Sequence, residues 1–302
     1  MPSFRAAPVR VRVPATSANL GPAFDSAGLA LALYDDVVVR VADSGLSVDV
    51  AGEGAGELPL DKRHLVVKAL RAAFTQLGGQ PRGLEIVCAN RIPQSRGLGS
   101  SSAAIVAAIV AARALVLGGE DLLDDDAALV LATQLEGHPD NVAACLRGGL
   151  TFAWTTESGV RAHRVTPHPH LAPVVFIPSS RASTKKARGL LPETVVFADA
   201  AANAARSALL SLALTTAPEL LLDATDDRLH QGFRASAMPR TAALVESLRA
   251  DGVPAVVSGA GPSVLALTTR DTAAAVAVRH PRAWDVVALP VDLDGAQVIP
   301  LS

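Results

Sequence analysis

The residues best suited to bind phosphate lie in one stretch of the chain, the run PQSRGLGSSSAA from Pro93 to Ala104. Small residues let backbone N–H groups approach an anion closely. A helix that begins there adds unpaired N–H groups and the positive end of its dipole. The lysine-containing loop G-x-x-x-x-G-K-[ST] does not occur in this run. The run therefore predicts a phosphate cradle of a different kind; the alternative is an ordinary Gly/Ser turn before a core helix.

Two other segments combine glycine with polar residues. The first, VPATSANLGPAFDSAG at 13–28, follows an apolar strand that we expect to break at Pro14, so that its polar side chains lie on a loop. Those side chains are Thr16, Ser17, Asn19 and Asp25. The second, AVVSGAGPSVLAL at 255–267, predicts two apolar strands around a tight Gly-Ala-Gly turn. Taken alone, the first segment could equally be an irregular surface turn and the second a plain hairpin turn.

Composition limits the class of protein. Half of the 302 residues are hydrophobic but only 3% are aromatic, so alanine, valine and leucine must fill the core. The net charge of −2 argues against nucleic acid, and the interrupted apolar runs argue against a membrane partner. No secretory stretch follows Met1, and Cys88 and Cys145 are interpreted as buried free thiols. We expect a cytoplasmic protein.

The hydrophobic pattern predicts a strand-rich first part and a mixed second part. Strands are expected at 9–13, 33–42, 46–50, 84–89, 150–155, 174–177, 255–258, 263–268 and 286–291. Helices are expected at 65–77, 103–117, 126–147 with a break near Pro139, 197–214, 218–222 and 240–250. The proline-rich stretch 165–173 is typical of a domain boundary, which gives domains 1–165 and 166–302.

Together the three glycine-containing segments resemble the galactokinase, homoserine kinase, mevalonate kinase and phosphomevalonate kinase (GHMP) superfamily. The second family motif, P-x-x-x-G-L-G-S-S, matches from Pro93 to Ser101. Within the superfamily the chain is most similar to the homoserine kinase branch. Its first motif, P-A-T-S-A-N-L-G-P-G-F-D, matches everywhere except at Ala23, and the segment LEGHPDNV at 135–142 is similar as well. The resemblance extends from about residue 9 to about residue 267.

The resemblance implies a two-domain α+β fold, with an N-terminal β-rich domain, a C-terminal α/β domain and the active site between them. It implies transfer of the γ-phosphoryl of ATP to the hydroxyl of L-homoserine, which gives O-phospho-L-homoserine and ADP in threonine biosynthesis. The expected partners are ATP, Mg²⁺ and L-homoserine. Whether the chain forms a homodimer is left open by the sequence.

The resemblance also implies an ATP site. The loop 96–102 would surround the phosphates with backbone N–H groups. Ser101, as the second serine of the motif, and Glu136 are expected to hold Mg²⁺, which accepts few protein ligands. The residues expected at the ATP site are Pro93, Arg96, Gly97, Leu98, Gly99, Ser100, Ser101, Ser102 and Ala103. Arg96 could neutralise a phosphate or be a solvated loop charge. Glu136 lies four residues before Asp140, close to one helical turn, so both carboxylates are expected to face one cleft.

The acceptor site must bind a zwitterion that carries a hydroxyl. Asn19 and Asp25 suit the ammonium or hydroxyl end, and arginine suits the carboxylate through its fork geometry. By resemblance the acceptor residues are Asn19, Asp25, His138, Asp140, Asn141, Thr184, Arg188, Arg234, Gly259 and Gly261. Asp140, Asn141 and Glu136 are the expected catalytic residues. Whether Asp140 is a general base or only positions the hydroxyl stays open, since the amide of Asn141 cannot usefully accept a proton.

Two other functions remain to be distinguished. One is a superfamily kinase acting on a mevalonate-like or sugar acceptor, which the S-A-N-L-G-P sequence of the first motif disfavours. The other is a non-catalytic sensor of ATP or an amino acid, which the intact Ser101, Glu136 and glycine loop disfavour.

Overall fold

The structure, a computed structural model, describes residues 2–279 and 281–300. Its strands, in chain order, are β1 (Val9–Ala18), β2 (Ala27–Ala42), β3 (Gly45–Gly52), β4 (Gly83–Asn90), β5 (Leu150–Thr156), β6 (Gly159–Val165), β7 (Val174–Pro178), β8 (Ala255–Val257), β9 (Val264–Ala266), β10 (Trp284–Ala288) and β11 (Gln297–Ile299).

The α-helices lie between these strands along the chain, singly or in groups. They are α1 (Leu65–Gln76), α2 (Ser100–Leu115), α3 (Gly119–Leu122), α4 (Asp125–Glu136), α5 (Pro139–Arg147), α6 (Thr184–Arg188), α7 (Phe197–Thr215), α8 (Leu221–Ala224), α9 (Gln231–Arg234), α10 (Pro239–Ala250) and α11 (Arg270–Ala277). Short 3₁₀ turns occupy Pro218–Leu220 and Ala235–Ala237. None of the helices in the described ranges is long and apolar enough to cross a membrane.

The larger sheet has the order β11-β1-β2-β4-β3, and β5 and β6 extend from β2. Its neighbours are antiparallel except for the parallel pair β3 and β4. Helix α2 lies against this sheet and is buried almost all round, because Ala, Val and Ile occupy every face after its first turn. This burial fixes the position of the first turn of α2, where the serine run lies.

The smaller sheet has the order β10-β7-β9-β8, with antiparallel neighbours. The third motif forms the turn between β8 and β9, as the sequence predicts. The chain then returns to the larger sheet, where β11 pairs with β1. Strand β6 is absent from the sequence prediction because its polar, partly exposed residues do not form an apolar run, and β11 is absent because its three residues are too few to give a pattern.

Two elements of the first motif and phosphate run differ from the prediction. Strand β1 does not break at Pro14 but continues to Ala18, with a bulge between Pro14 and Ala15 that accommodates the missing N–H. Thr16 and Ser17 therefore lie on a buried strand rather than on a loop. Helix α2 begins at Ser100, three residues earlier than predicted, so the serine run forms its first turn.

Candidate active site

The three glycine-containing segments meet at the start of α2. The Ser258 hydroxyl lies 2.6 Å from the carbonyl of Gly97 and 2.8 Å from the Ser17 hydroxyl, so it bridges all three motifs. The backbone N–H of Thr16 donates to Leu98 (3.0 Å), which ties the first motif to the phosphate loop. Because these contacts join segments far apart in sequence, the loop is held by tertiary structure on both sides.

Glycine is required in the loop by close approach and by backbone conformation. Gly97 and Gly99 both have left-handed backbones, with φ of +76° and +70°. A Cβ on Gly97 would lie 2.2 Å from the carbonyl oxygen of Ser258, and one on Gly99 would lie 2.0 Å from the Thr16 hydroxyl. The helix N-terminus after Gly99 has no side-chain cap, so its N–H groups are available to an anion.

Glu136 faces the first turn of α2. Its Oε1 accepts hydrogen bonds from the hydroxyls of Ser101 (2.6 Å) and Ser102 (2.8 Å). One carboxylate and two hydroxyls thus converge within a few ångströms, and hard oxygen donors of this kind suit Mg²⁺. Ser102 is fully buried whereas Ser101 is exposed, so Ser101 is the hydroxyl that remains accessible from the cavity.

Glu136 and Asp140 line the same cavity, as predicted, but they do not lie on one turn of a single helix. Helix α4 ends at Glu136, Gly137 is left-handed (φ +95°), and α5 begins at Pro139. The two carboxylates therefore lie on separate helices. The break near Pro139 agrees with the sequence prediction, but the shared helical face does not, because proline starts a new helix rather than continuing the old one.

Asp140 is 2% exposed and is held by its neighbours in sequence. Its Oδ1 accepts from the His138 ring Nδ1–H (2.8 Å) and from the backbone N–H of Asn141 (2.7 Å). The Asn141 side-chain oxygen accepts from the Thr16 hydroxyl at 2.8 Å. Hydrogen bonding to Asp140 raises the pKa of His138, against the opposing effect of burial. Across the described residues Oδ2 of Asp140 has no hydrogen-bond partner, which leaves it free for a ligand.

A cavity of about 870 Å³ connects these groups. Of the predicted site residues it is lined by Asn19, Asp25, Gly97, Leu98, Gly99, Ser100, Ser101, Ala103, Glu136, His138, Asp140, Asn141, Arg188, Arg234 and Gly259. Pro93, Ser102 and Gly261 do not line it. The side chain of Thr184 lies outside what the structure describes.

Arg96 is placed differently from the expected phosphate contact. Its guanidinium donates to the backbone carbonyls of Gln94 (3.1 Å), Pro178 (2.8 Å) and Ser179 (3.0 Å), and it does not line the cavity. In this structure Arg96 fastens the phosphate loop to the end of β7. Because the guanidinium N–H groups already donate to these carbonyls, Arg96 connects the phosphate loop to the smaller sheet.

A cluster of charged residues also lines the cavity. Arg188 donates to both oxygens of Asp25, at 2.8 and 2.7 Å. Arg234 is 1% exposed, its Nη1 lies 3.2 Å from His230 Nδ1, and its Nε has no partner in the described structure. Both guanidiniums lie over the Phe24 ring, at 5.3 Å for Arg188 and 5.2 Å for Arg234. Burial lowers the pKa of Arg234, and the Arg188 charge lowers it further.

Asn19 positions part of this charged cluster through its backbone conformation and its side-chain amide. It is left-handed (φ +70°), a conformation that asparagine tolerates better than most residues. Its Nδ2 donates to the Gly259 carbonyl (2.9 Å), while its Oδ1 accepts from the Asp25 backbone N–H (2.9 Å). Asn19 therefore orients Asp25 rather than being free for a ligand.

Sequence reasoning missed the cavity wall formed by β2, β4 and the start of α1. Asp35, His64 and Cys88 all line it and are buried. Asp35 Oδ1 accepts from the backbone N–H groups of Arg91 (2.6 Å) and Ile92 (2.9 Å), just before the phosphate run. Burial raises the pKa of Asp35 to about 6 and that of Cys88 to about 12. The one available signal was the charged pair Asp35-Asp36 inside an apolar strand.

Comparison with protein families assigns this architecture to a class. Residues 64–149 match the GHMP kinases N-terminal domain and residues 205–286 match the GHMP kinases C-terminal family. The fold is thus that of the GHMP kinases. The chain is 64% identical to the homoserine kinase of Streptomyces coelicolor, over 100% of this chain and 97% of that protein. It is 53% identical to the homoserine kinase of Clavibacter michiganensis, over 96% and 93% of the two chains.

Solved structures of homoserine kinases have a similar fold. The homoserine kinase of Cytophaga hutchinsonii superposes with a TM-score of 0.81 at 25% identity, over 99% of each chain. A putative homoserine kinase from Listeria monocytogenes gives 0.76 at 30% identity, over 97% of this chain and 100% of the other. The mevalonate kinase of L. major shares the fold, with a TM-score of 0.71. The chain belongs to the homoserine kinase family of the GHMP kinases.

Proposed function

We propose that this protein is an ATP-dependent kinase that transfers the γ-phosphoryl group to the hydroxyl of L-homoserine, yielding O-phospho-L-homoserine and ADP in threonine biosynthesis. One observation carries the proposal. A phosphate loop at the start of α2 and a cluster of opposite charges, Asp25 with Arg188 and Arg234, line the same cavity. The first group suits the nucleotide phosphates, and the second suits an amino-acid zwitterion.

The phosphate end of the cavity supplies charge neutralisation. Backbone N–H groups of the loop and of the first turn of α2 would bind the phosphate oxygens, helped by the helix dipole. Glu136 and Ser101 would hold Mg²⁺, because their oxygens already converge at 2.6 Å. When bound there, Mg²⁺ neutralises charge on the phosphates. The loop N–H groups, Glu136 and Ser101 would fix the position of the phosphate groups before the acceptor binds.

The acceptor end orients the hydroxyl. Arg234 would bind the carboxylate of homoserine, since a buried guanidinium with an unpaired Nε suits an anionic ligand. Asp25 would bind the ammonium. Asp140 would accept a hydrogen bond from the hydroxyl through Oδ2, with Oδ1 held by His138 and the backbone of Asn141. These contacts hold the hydroxyl oxygen toward the phosphate loop, and we propose that positioning, rather than proton abstraction, is their main contribution.

We also propose that residues 1–165 and 166–302 are the two domains, each with its own sheet. The return of β11 to β1 means that the end of the second domain completes the sheet of the first. The reaction would take place in the cytoplasm, in keeping with two free, buried cysteines among the described residues.

A panel of acceptors tests the proposed function. Purified protein with Mg-ATP should release ADP with L-homoserine and much less with mevalonate, galactose or L-serine. The control is the same panel with the Glu136→Gln variant, which separates turnover at this site from a contaminating ATPase. Equal or faster turnover of mevalonate or a sugar would favour another GHMP kinase activity. Tight binding of ATP and homoserine without any turnover would favour a sensor.

A further inference from the structure

The Asp25–Arg188 ion pair crosses the acceptor end of the cavity. Asp25 lies on the loop between β1 and β2, and Arg188 is the last residue of α6. Both oxygens of Asp25 accept from the two terminal nitrogens of Arg188, at 2.7 and 2.8 Å. The side chains are 33% and 42% exposed, so the pair is open to exchange with a ligand. In this structure Asp25 and Arg188 satisfy each other rather than a substrate.

The second arginine has no such partner. Arg234 lies over the same Phe24 ring, and among the described residues no carboxylate is within ion-pair distance of it. The Arg188 charge is close enough to disfavour the charged form of Arg234. An incoming carboxylate is therefore attracted by two guanidiniums, one of which is already engaged by Asp25. To use Arg188, the ligand must displace that carboxylate.

Displacement has a cost that depends on the charges of the ligand. A ligand carboxylate that takes Arg188 leaves Asp25 without a cation and close to a second anion, which is unfavourable in a partly buried site. A ligand that also carries an ammonium supplies Asp25 with a replacement. The charges of the site are then paired as before, and Arg234 gains a partner as well.

We propose that the Asp25–Arg188 pair selects for zwitterions, because it gives way only to a ligand that brings both an ammonium and a carboxylate. This inference rests on the proposed function and extends it to the basis of acceptor choice. Alcohols with one charge, or with none, would have to compete with the intact pair. The exclusion of other small alcohols thus comes from a competing internal contact and not only from missing ligand contacts.

The test uses two alcohols that each lack one charge of homoserine: 4-hydroxybutanoate, without the ammonium, and 3-aminopropan-1-ol, without the carboxylate. Their binding to the full chain is measured by calorimetry, together with that of L-homoserine. In Asp25→Asn, Arg188 is freed from its carboxylate. Homoserine should then bind roughly tenfold more weakly or worse, whereas 4-hydroxybutanoate should bind more tightly than to the wild type, by about threefold or more.

The reciprocal variant gives the opposite pattern. Arg188→Gln frees Asp25, so 3-aminopropan-1-ol should bind more tightly than to the wild type while homoserine binds more weakly. The matched control is Asp251→Asn, which breaks a 2.6 Å aspartate–arginine pair with Arg279 away from the cavity. It should leave all three affinities unchanged. Thermal unfolding of each variant establishes that it is folded, and if one variant is unfolded the other decides.

The outcomes separate the two proposals. If the wild type binds homoserine but neither variant gains affinity for its singly charged analogue, the two residues are simple ligand contacts and selection by the pair is wrong. If the wild type does not bind homoserine, the proposed function fails. Gains for the analogues would then still show that the internal pair competes with charged ligands.

Discussion

The hydroxyl of Ser101 donates a 2.6 Å hydrogen bond to the carboxylate of Glu136, across 35 residues of sequence. The bond joins the first turn of α2 to the last residue of α4, at the phosphate end of the cavity. Both partners are oxygen ligands of the kind that Mg²⁺ accepts, so the same two atoms that bond to each other here are those we expect to share the metal. The contact is also the most direct support for the predicted pair Ser101 and Glu136.

Glu136→Gln should raise the Mg²⁺ concentration needed for half activity and should lower kcat. The amide keeps the shape of the side chain and can still accept from Ser101, but it lacks the negative charge that binds a divalent cation. The measurement is a Mg²⁺ titration of ADP release at saturating ATP and homoserine. The exposed Glu219→Gln serves as control and should behave as wild type. An unchanged Mg²⁺ requirement in Glu136→Gln would remove Glu136 from the metal site.

Asp140→Asn should raise the homoserine KM without altering the Mg²⁺ requirement. The amide loses the charge that pairs with His138 and orients the hydroxyl, but it leaves Glu136 and the phosphate loop in place. Steady-state kinetics at several Mg²⁺ concentrations separate the two effects. General-base catalysis contributes about 10²–10⁴-fold. A loss of that size in kcat at saturating homoserine, with the ternary complex still forming, would make Asp140 the base.

His138 should titrate above its ordinary pKa in the wild type, because Asp140 stabilises the charged ring. This raised pKa has a defined effect on stability. The ion pair stabilises the fold at pH values below about 6.5, and the contribution is lost as pH rises through the raised pKa. NMR titration of the ring should show the pKa of His138 falling in Asp140→Asn. If the pKa of His138 were the same in the wild type and in Asp140→Asn, the contact with Asp140 would not be maintained in solution.

Arg234→Met should raise the melting temperature of the ligand-free protein while abolishing measurable homoserine binding. A buried guanidinium without a carboxylate destabilises the fold, and an apolar side chain of similar length removes that charge. Arg234→Lys keeps the charge but loses the fork geometry, which should cost about 1.5–3 kcal/mol, or roughly ten- to more than a hundredfold in homoserine KM.

Calorimetry with homoserine and with ATP tests whether Arg234 binds the acceptor. Homoserine binding should weaken in both variants, whereas ATP binding should change little. Near-normal homoserine KM values in both Arg234→Lys and Arg188→Lys would show that these arginines do not hold the carboxylate.

Asp35→Asn should stabilise the protein at neutral pH but not near pH 4. Because burial raises the pKa of Asp35 from 3.8 to about 6, the native state retains a proton that the unfolded chain releases between these values. The stability of the wild type therefore falls as pH rises through that window, by about 3 kcal/mol in total. The amide keeps an acceptor for the N–H groups of Arg91 and Ile92 and does not ionise.

Thermal unfolding as a function of pH measures this effect. The exposed Asp49→Asn on strand β3, which β4 separates from β2, is the control. A gain for Asp35→Asn that is the same at pH 4 and pH 7 would mean that ionisation of Asp35 is not its cause. Asp35→Leu should destabilise the protein at every pH, because it leaves two N–H groups without an acceptor.

The local features of the site were predictable from sequence because they depend on neighbouring residues. Glycines at 97 and 99 allow left-handed backbone, serines follow at the start of a helix, and Pro139 starts a new helix after Gly137. Those rules gave the phosphate loop, the helix α2 and the break before Asp140. They failed at Pro14, where pairing of β1 with β2 on both sides of the proline maintains the strand through a bulge.

By itself, then, the sequence determined the class of fold and predicted a phosphate loop together with a set of acidic and basic residues for the site. Only the tertiary structure decided how those residues are paired. In that structure Arg96 donates to three carbonyls and Asp25 pairs with Arg188, 163 residues away. Arg234 is buried, and no carboxylate of the described residues pairs with it. The reason is physical: charge pairing and desolvation depend on the distances between segments, and these are set by how the two sheets and their helices pack, not by spacing along the chain.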